Sequence, residues 1–212
     1  MKKESQSFIY KNIYLYRILM FIASNGSYFK EFDIAFNLLP KKTKSVIELC
    51  FGDIYIAKSC RHKNISWTGY DISSYFVNNA KKKKYNAVLV DLHKVSLKGK
   101  YDVAIISRSL YQFKFDLTFF IASILNVSSS IIICESLKSL SNSRNYLVRK
   151  FAHKITHSGD KEHFFRYTKD SIEEDIKFIT EKFNLNISNK ILTEKTVFYL
   201  LIKNQKTLKK SS

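Results

Sequence analysis

Proline is almost missing from this chain: Pro40 is the only one in 212 residues, and glycine occurs five times. Lys, Asn, Ile, Tyr and Phe are abundant in exchange, a skew that AT-rich coding sequence generates. Cysteine is scarce too. Cys50, Cys60 and Cys134 are odd in number and lack paired spacing, which excludes a disulfide framework. Cys50 and Cys134 fall inside apolar strand patterns, where a thiol serves as a small hydrophobe, so the setting expected is reducing and cytoplasmic. The apolar run Ile13–Ala23 falls short of the ~20 residues a membrane span needs. Lys11 and Arg17 interrupt the apolar start and no small-residue cleavage site follows, so the start is not expected to act as a signal peptide. Acidic residues are few, 18 against 36 basic ones, and the net charge of +18 suits a nucleic-acid or anionic-membrane partner as well as a biased composition. No internal repeat is present.

What is present fits one well-buried domain, with 45% hydrophobic and 15% aromatic residues. From Lys44 onward strand and helix patterns alternate, as in a parallel sheet wrapped by helices. The strands expected are Ser45–Cys50, Trp67–Asp71, Ala87–Val90, Tyr101–Ser107 and Ser129–Glu135, buried on both faces. Helices are expected near Ile54–Arg61, Ser73–Lys82 and Leu117–Leu125. Ile172, Ile176, Ile179 and Phe183 then mark one face of an amphipathic helix capped by Thr168. Two strand patterns, Leu185–Leu192 and Thr196–Ile202, close the chain. Residues 1–40 read as an apolar helical lead-in, 41–204 as the domain proper with a cover segment at 136–166, and 205–212 as a basic tail.

The stretch SVIELCFGDI, Ser45–Ile54, ends an apolar run in an acid and then a glycine. That is how a first parallel strand delivers a nucleotide-type ligand to the next helix N-terminus. Trp67–Asp71 and Ala87–Asp91 repeat the acid-closed run at intervals of 23 and 20 residues, each one helix plus one strand. Together these residues resemble the class I S-adenosylmethionine-dependent methyltransferases. The resemblance implies a Rossmann-like seven-stranded α/β fold, mostly parallel with an antiparallel last strand and helices on both faces. It covers roughly Pro40–Asn204 and puts S-adenosylmethionine at Glu48, Cys50, Gly52, Asp71, Ile72, Asp91, Leu92 and Ser107. Asp71 would accept from the ribose hydroxyls and Leu92 would pack on adenine. The first and third family glycines fall on Cys50 and Ile54, and Ile54 implies a different loop path.

Methyl transfer needs in-line positioning and a base for the departing proton rather than covalent help from the protein. The fourth strand ends in ISRSLYQF, Ile106–Phe113, beside the place of the methyl group in the resembled family. Arg108, Tyr111 and Gln112 there are candidate substrate contacts, and no Asn/Asp-Pro-Pro-aromatic sequence of adenine-amine methyltransferases occurs. Cys134 in IIICES is read as a core thiol, not a nucleophile. Candidate bases are Tyr111, His153, His157 and His163. No metal set is expected, since HKITH lacks the glutamate of a zinc-hydrolase helix. The cover is basic, and Arg144, Arg149 and Arg166 suit an anionic small-molecule substrate. The activity expected is methylation of an oxygen or nitrogen on a small anionic or partly apolar metabolite. An RNA methyltransferase and a non-catalytic methyltransferase-like scaffold are the alternatives.

Overall fold

The computed structural model describes residues 12–24, 26–137 and 165–204. Two helices lead in, α1 (Ile13–Ala23) and α2 (Tyr28–Asn37). Asn12 starts α1 by accepting from the Tyr14 and Leu15 N–H groups, which an apolar helix start cannot satisfy itself. Then follow β1 (Ser45–Leu49), α3 (Tyr55–His62), β2 (Ser66–Asp71), α4 (Ser74–Lys82), β3 (Asn86–Leu89) and β4 (Val103–Ser107). A 3₁₀ segment, Leu110–Asp116, runs into α5 (Leu117–Val127), and β5 spans Ser130–Ser136. The chain closes with α6 (Lys169–Phe183), β6 (Leu185–Leu192) and β7 (Thr196–Lys203).

The seven strands lie in the order β3-β2-β1-β4-β5-β7-β6. β1 to β5 pair in parallel, and β7 inserts antiparallel between β5 and β6. Alternation along each strand sends neighbouring residues to opposite faces. Ile47 and Leu49 join the core under α5 and α6, whereas Val46 joins the one under α2, α3 and α4. The Ile-rich β5 is buried over six of its seven residues, as a central strand covered on both faces must be. The order reverses between β1 and β4, and that opening is where ligands of such sheets sit.

Most boundaries shift by one or two residues from expectation, and three strands show what sets them. β4 begins at Val103 because the Asp102 carboxylate accepts from the Lys44 and Ser45 N–H groups and Tyr101 bridges to Ser128 instead. β1 ends at Leu49 because Cys50 turns to φ 54°. β3 is a four-residue edge strand and not a doubly buried one, with Leu89 half exposed. At α6 the cap is as expected: Thr168 and Ser171 satisfy each other's backbone N–H in a capping box.

Candidate functional site

The loop after β1 is bent by two left-handed residues, Cys50 (φ 54°) and Gly52 (φ 52°). Cys50 thus holds a conformation that glycine adopts freely and a side chain pays for. Ile54 has returned to φ −81°, so the loop has already turned into α3 where the third family glycine would stand. That is the different path expected. The Gly52 N–H donates to Asp71 Oδ2 at 2.9 Å, tying the ends of β1 and β2 together. Asp71 Oδ1 accepts from the Ser73 N–H at 2.7 Å, so this acid also opens α4. Burial pushes the Asp71 carboxyl up to about 6, against the N–H groups of Ser73, Gly52 and Ile72.

Glu48 does not cap the loop. Its strand position sends it under α3, where Oε2 accepts from the Trp67 indole at 2.8 Å and Oε1 has no partner. Burial holds this carboxyl well above its ordinary range. The Ser73 hydroxyl beside Asp71 is likewise buried without a partner. The Ser107 hydroxyl at the end of β4 is a third such atom, and it and the Ser73 hydroxyl are what a polar ligand at the strand ends would satisfy.

Helix α1 lies on this loop. Arg17 forks onto Asp53, Nε to Oδ2 at 2.6 Å and Nη2 to Oδ1 at 2.7 Å, and the Asp53 side chain is completely buried. Tyr16 presses its hydroxyl on Gly52 so closely that a Cβ there would sit 2.9 Å away. Burial raises the Tyr16 phenol far above its usual value. Arg108, left-handed at φ 56°, turns from the end of β4 back to α2 and meets Glu31 at 3.2 Å.

On the other side of the opening, Ser107 pairs with Cys134 of β5, and Glu135 follows. Glu135 is 3% exposed and accepts from the Leu110 N–H at 2.9 Å and the Ser136 N–H at 3.3 Å. Burial pushes it up to about 7, although the Ser136 N–H, Arg108, the Leu110 N–H and Arg166 pull it down. Arg166 stacks 3.9 Å above the Tyr111 ring. Tyr167 donates to Asp175 at 2.7 Å, and Lys114 meets the same carboxylate at 2.6 Å, fixing the chain that carries Arg166 to α6. Gln112 is half-buried beside Tyr111.

No protein-family model and no curated protein sequence matches the chain. Solved structures do. The plantazolicin methyltransferase BpumL, in complex with a pentazolic desmethylPZN analog and SAH, is similar at 16% identity with TM-score 0.65, covering 93% of this chain and 94% of that one. Magnesium protoporphyrin IX methyltransferase (ChlM) from Synechocystis PCC 6803, with bound SAH, is similar at 16% identity with TM-score 0.61, over 91% and 88%. An rRNA methylase from Escherichia coli is similar at 14% identity with TM-score 0.56, over 92% and 70%. The chain has the class I methyltransferase fold.

Within this methyltransferase fold the expected residues divide. Cys50, Gly52, Asp71 and Ile72 lie together on the loops that close β1 and β2. Ser107 ends β4, Arg108 follows it with its guanidinium on Glu31, and Tyr111 and Gln112 lie on the 3₁₀ segment with Arg166 over the Tyr111 ring. Asp91 follows Val90, whose N–H donates to the Asp71 carbonyl, and its carboxylate accepts from the His93 N–H and the Lys94 ammonium. Leu92 is buried in the hydrophobic core that α5 covers. Cys134 is a buried thiol that burial holds well above its ordinary range, as a core cysteine is. His153, His157, His163, Arg144 and Arg149 lie outside the described residues. Among the described residues no cluster of three His, Cys, Asp or Glu could hold a metal, and no helix is long and apolar enough to cross a membrane.

Four residues were missed in the sequence: Tyr16, Arg17, Asp53 and Glu135. Glu135 carried a usable signal, since it closes an apolar run as Asp71 and Asp91 do. Arg17 carried another, being the one charge within the α1 run.

Proposed function

We propose that this chain is an S-adenosylmethionine-dependent methyltransferase acting on an oxygen or nitrogen of a small, anionic or partly apolar metabolite. One observation carries the reading: the buried Asp71 carboxylate bridges to the Gly52 N–H where β1 and β2 end, next to the switch point of the sheet and the orphaned hydroxyls of Ser73 and Ser107. A carboxylate has about four lone-pair sites. Asp71 spends some on backbone N–H groups and keeps capacity for ribose hydroxyls. The orphaned hydroxyls of Ser73 and Ser107 then suit remaining polar groups of the same cofactor.

S-adenosylmethionine supplies an electrophilic methyl group when bound. The protein's own share is to orient the acceptor and take up its proton. Glu135 stands at the end of β5 with a carboxyl near neutrality, which suits a proton acceptor at working pH. Arg166, over the Tyr111 ring, is the guanidinium placed for an anionic acceptor, while Arg108 is paired with Glu31. Reduced thiols at Cys50, Cys60 and Cys134 support a cytoplasmic setting. Calorimetric titration of the full chain with S-adenosylmethionine tests the reading. Replacing Asp71 by Ala should weaken binding by roughly 1.5–3 kcal/mol, the range for hydrogen bonds to charged groups. Equal affinity in wild type and variant, with the fold intact, removes Asp71 from the site, and no affinity in either favours the scaffold alternative.

The net charge of +18 and the similarity to an rRNA methylase support RNA as a second acceptor class. Retention on RNA should then fall by about 0.7 log units per tenfold salt for each phosphate neutralised on a single strand. Salt-insensitive or absent retention removes that alternative.

A further inference from the structure

We infer that the outer face of α1 is a docking surface for an anionic phospholipid bilayer. The helix has two unlike sides. Inward, Ile13 is buried, Tyr16 rests on Gly52 and Arg17 grips Asp53. Outward, Tyr14 is 73% exposed, Ile18 57%, Ile22 63% and Phe21 47%. Those positions fall at i, i+4, i+7 and i+8, a single stripe along the helix. Arg17 is the only charged residue of α1 and is spent on Asp53, so the stripe is apolar without interruption. Phe21 approaches the Phe29 ring at 6.5 Å, which carries the apolar surface on to α2, where Lys30 is exposed.

Scattered single hydrophobes on a surface need no explanation, but four large ones on one helical face do. Charge selects the occupant. A second copy of the chain would bring +18 against +18, with no acidic residue on α1 to offset the repulsion. RNA matches the charge and can stack bases on Tyr14 and Phe21, but it offers nothing to the aliphatic Ile18 and Ile22, which are more than half exposed. An anionic bilayer answers both features, since an interfacial helix sinks its apolar face below headgroups that attract the basic protein. The twelve residues preceding α1 in the sequence add Lys2, Lys3 and Lys11 against Glu4 alone. At eleven residues α1 is about 16 Å long, enough to lie in the interface and about half of what would cross it.

Because the other side of α1 roofs Gly52 and Asp53, docking would bring the β1 loop close to the headgroup layer. On the methyltransferase reading, on which only this sentence rests, the acceptor is then an amphipathic molecule reached from the membrane surface.

The test is co-sedimentation of the full chain with vesicles, a readout that needs no cofactor and no turnover. One set of vesicles holds phosphatidylcholine alone and the other equal parts phosphatidylcholine and phosphatidylglycerol. Wild type should bind the second set and not the first, and should be released by raised salt. The double variant Ile18→Ser, Ile22→Ser should lose binding at least about tenfold, from two apolar side chains that no longer partition. Its thermal midpoint should stay unchanged, because both positions are exposed. Tyr14→Ser serves as the second probe should the double variant prove unstable. Three results overturn the proposal: no binding to the anionic vesicles, variants that bind as wild type does, or a wild-type dimer in sedimentation that the double variant abolishes.

Discussion

Replacing Glu135 by Gln should make the protein more stable at pH 8 and less stable at pH 4.5. The carboxyl titrates near 4.5 in an open chain and is pushed to about 7 in the folded one, by burial above all. Between those values the folded state binds more protons than the unfolded, so stability falls as pH rises through the window. Each tenfold change in protonation is worth about 1.4 kcal/mol, so above pH 7 ionised Glu135 costs the fold about 3 kcal/mol. Below pH 4.5 the cost is gone. Gln removes it at every pH, keeps an oxygen for the Leu110 N–H and loses the acceptor for the Ser136 N–H, a loss of about 1 kcal/mol. The variant should therefore gain about 2 kcal/mol at pH 8 and lose about 1 at pH 4.5. Urea denaturation at several pH values measures this, with the midpoint read at constant slope. Asp71 and Glu48 are raised as well and add to the decline of the wild type with pH, so the difference between proteins is the quantity to follow. A difference that does not change with pH would refute the reasoning.

Other outcomes follow from contacts already described. Arg17→Met leaves the buried Asp53 charge unpaired and should cost about 3 kcal/mol, most of it recovered by adding Asp53→Asn; additive losses in denaturation would deny the pair any coupling. Cys50→Gly relieves a left-handed side chain and, after the entropy cost of glycine, should change stability by less than about 1 kcal/mol and not for the worse. A marked loss would mean that the thiol packs more than it strains. Thr168→Ala removes the capping box of α6 and should lower stability by about 1 kcal/mol, read from the thermal midpoint.

The strands were legible because a buried parallel strand can hardly be written otherwise: IIIC in β5 and VIEL in β1 have no polar face to turn outward. The β6–β7 hairpin was legible from its polar Thr193-Glu194-Lys195 connection. Asp71 was found by its place at a strand end, and the hydrogen bond to Gly52 gives that place a physical meaning. What escaped was pairing at a distance. The Arg17–Asp53 fork joins residues 36 positions apart, and no local pattern records which charge will meet which. Glu48 shows the converse limit: its spacing marked a strand end, while the period of two sent its side chain beneath α3 to Trp67.

The grip of α1 on the β1 loop sets the smallest piece of this chain that can be studied by itself. Trimming to the sheet, from Lys44 onward, looks harmless because every strand and the candidate ribose acid survive. It would discard Tyr16 and Arg17, stripping the β1 loop of the ring packed on Gly52 and of the fork that holds Asp53. A trimmed protein that fails to bind ligand would therefore report a collapsed loop, and only a fragment beginning ahead of Asn12, where α1 is capped, offers a fair comparison with the whole.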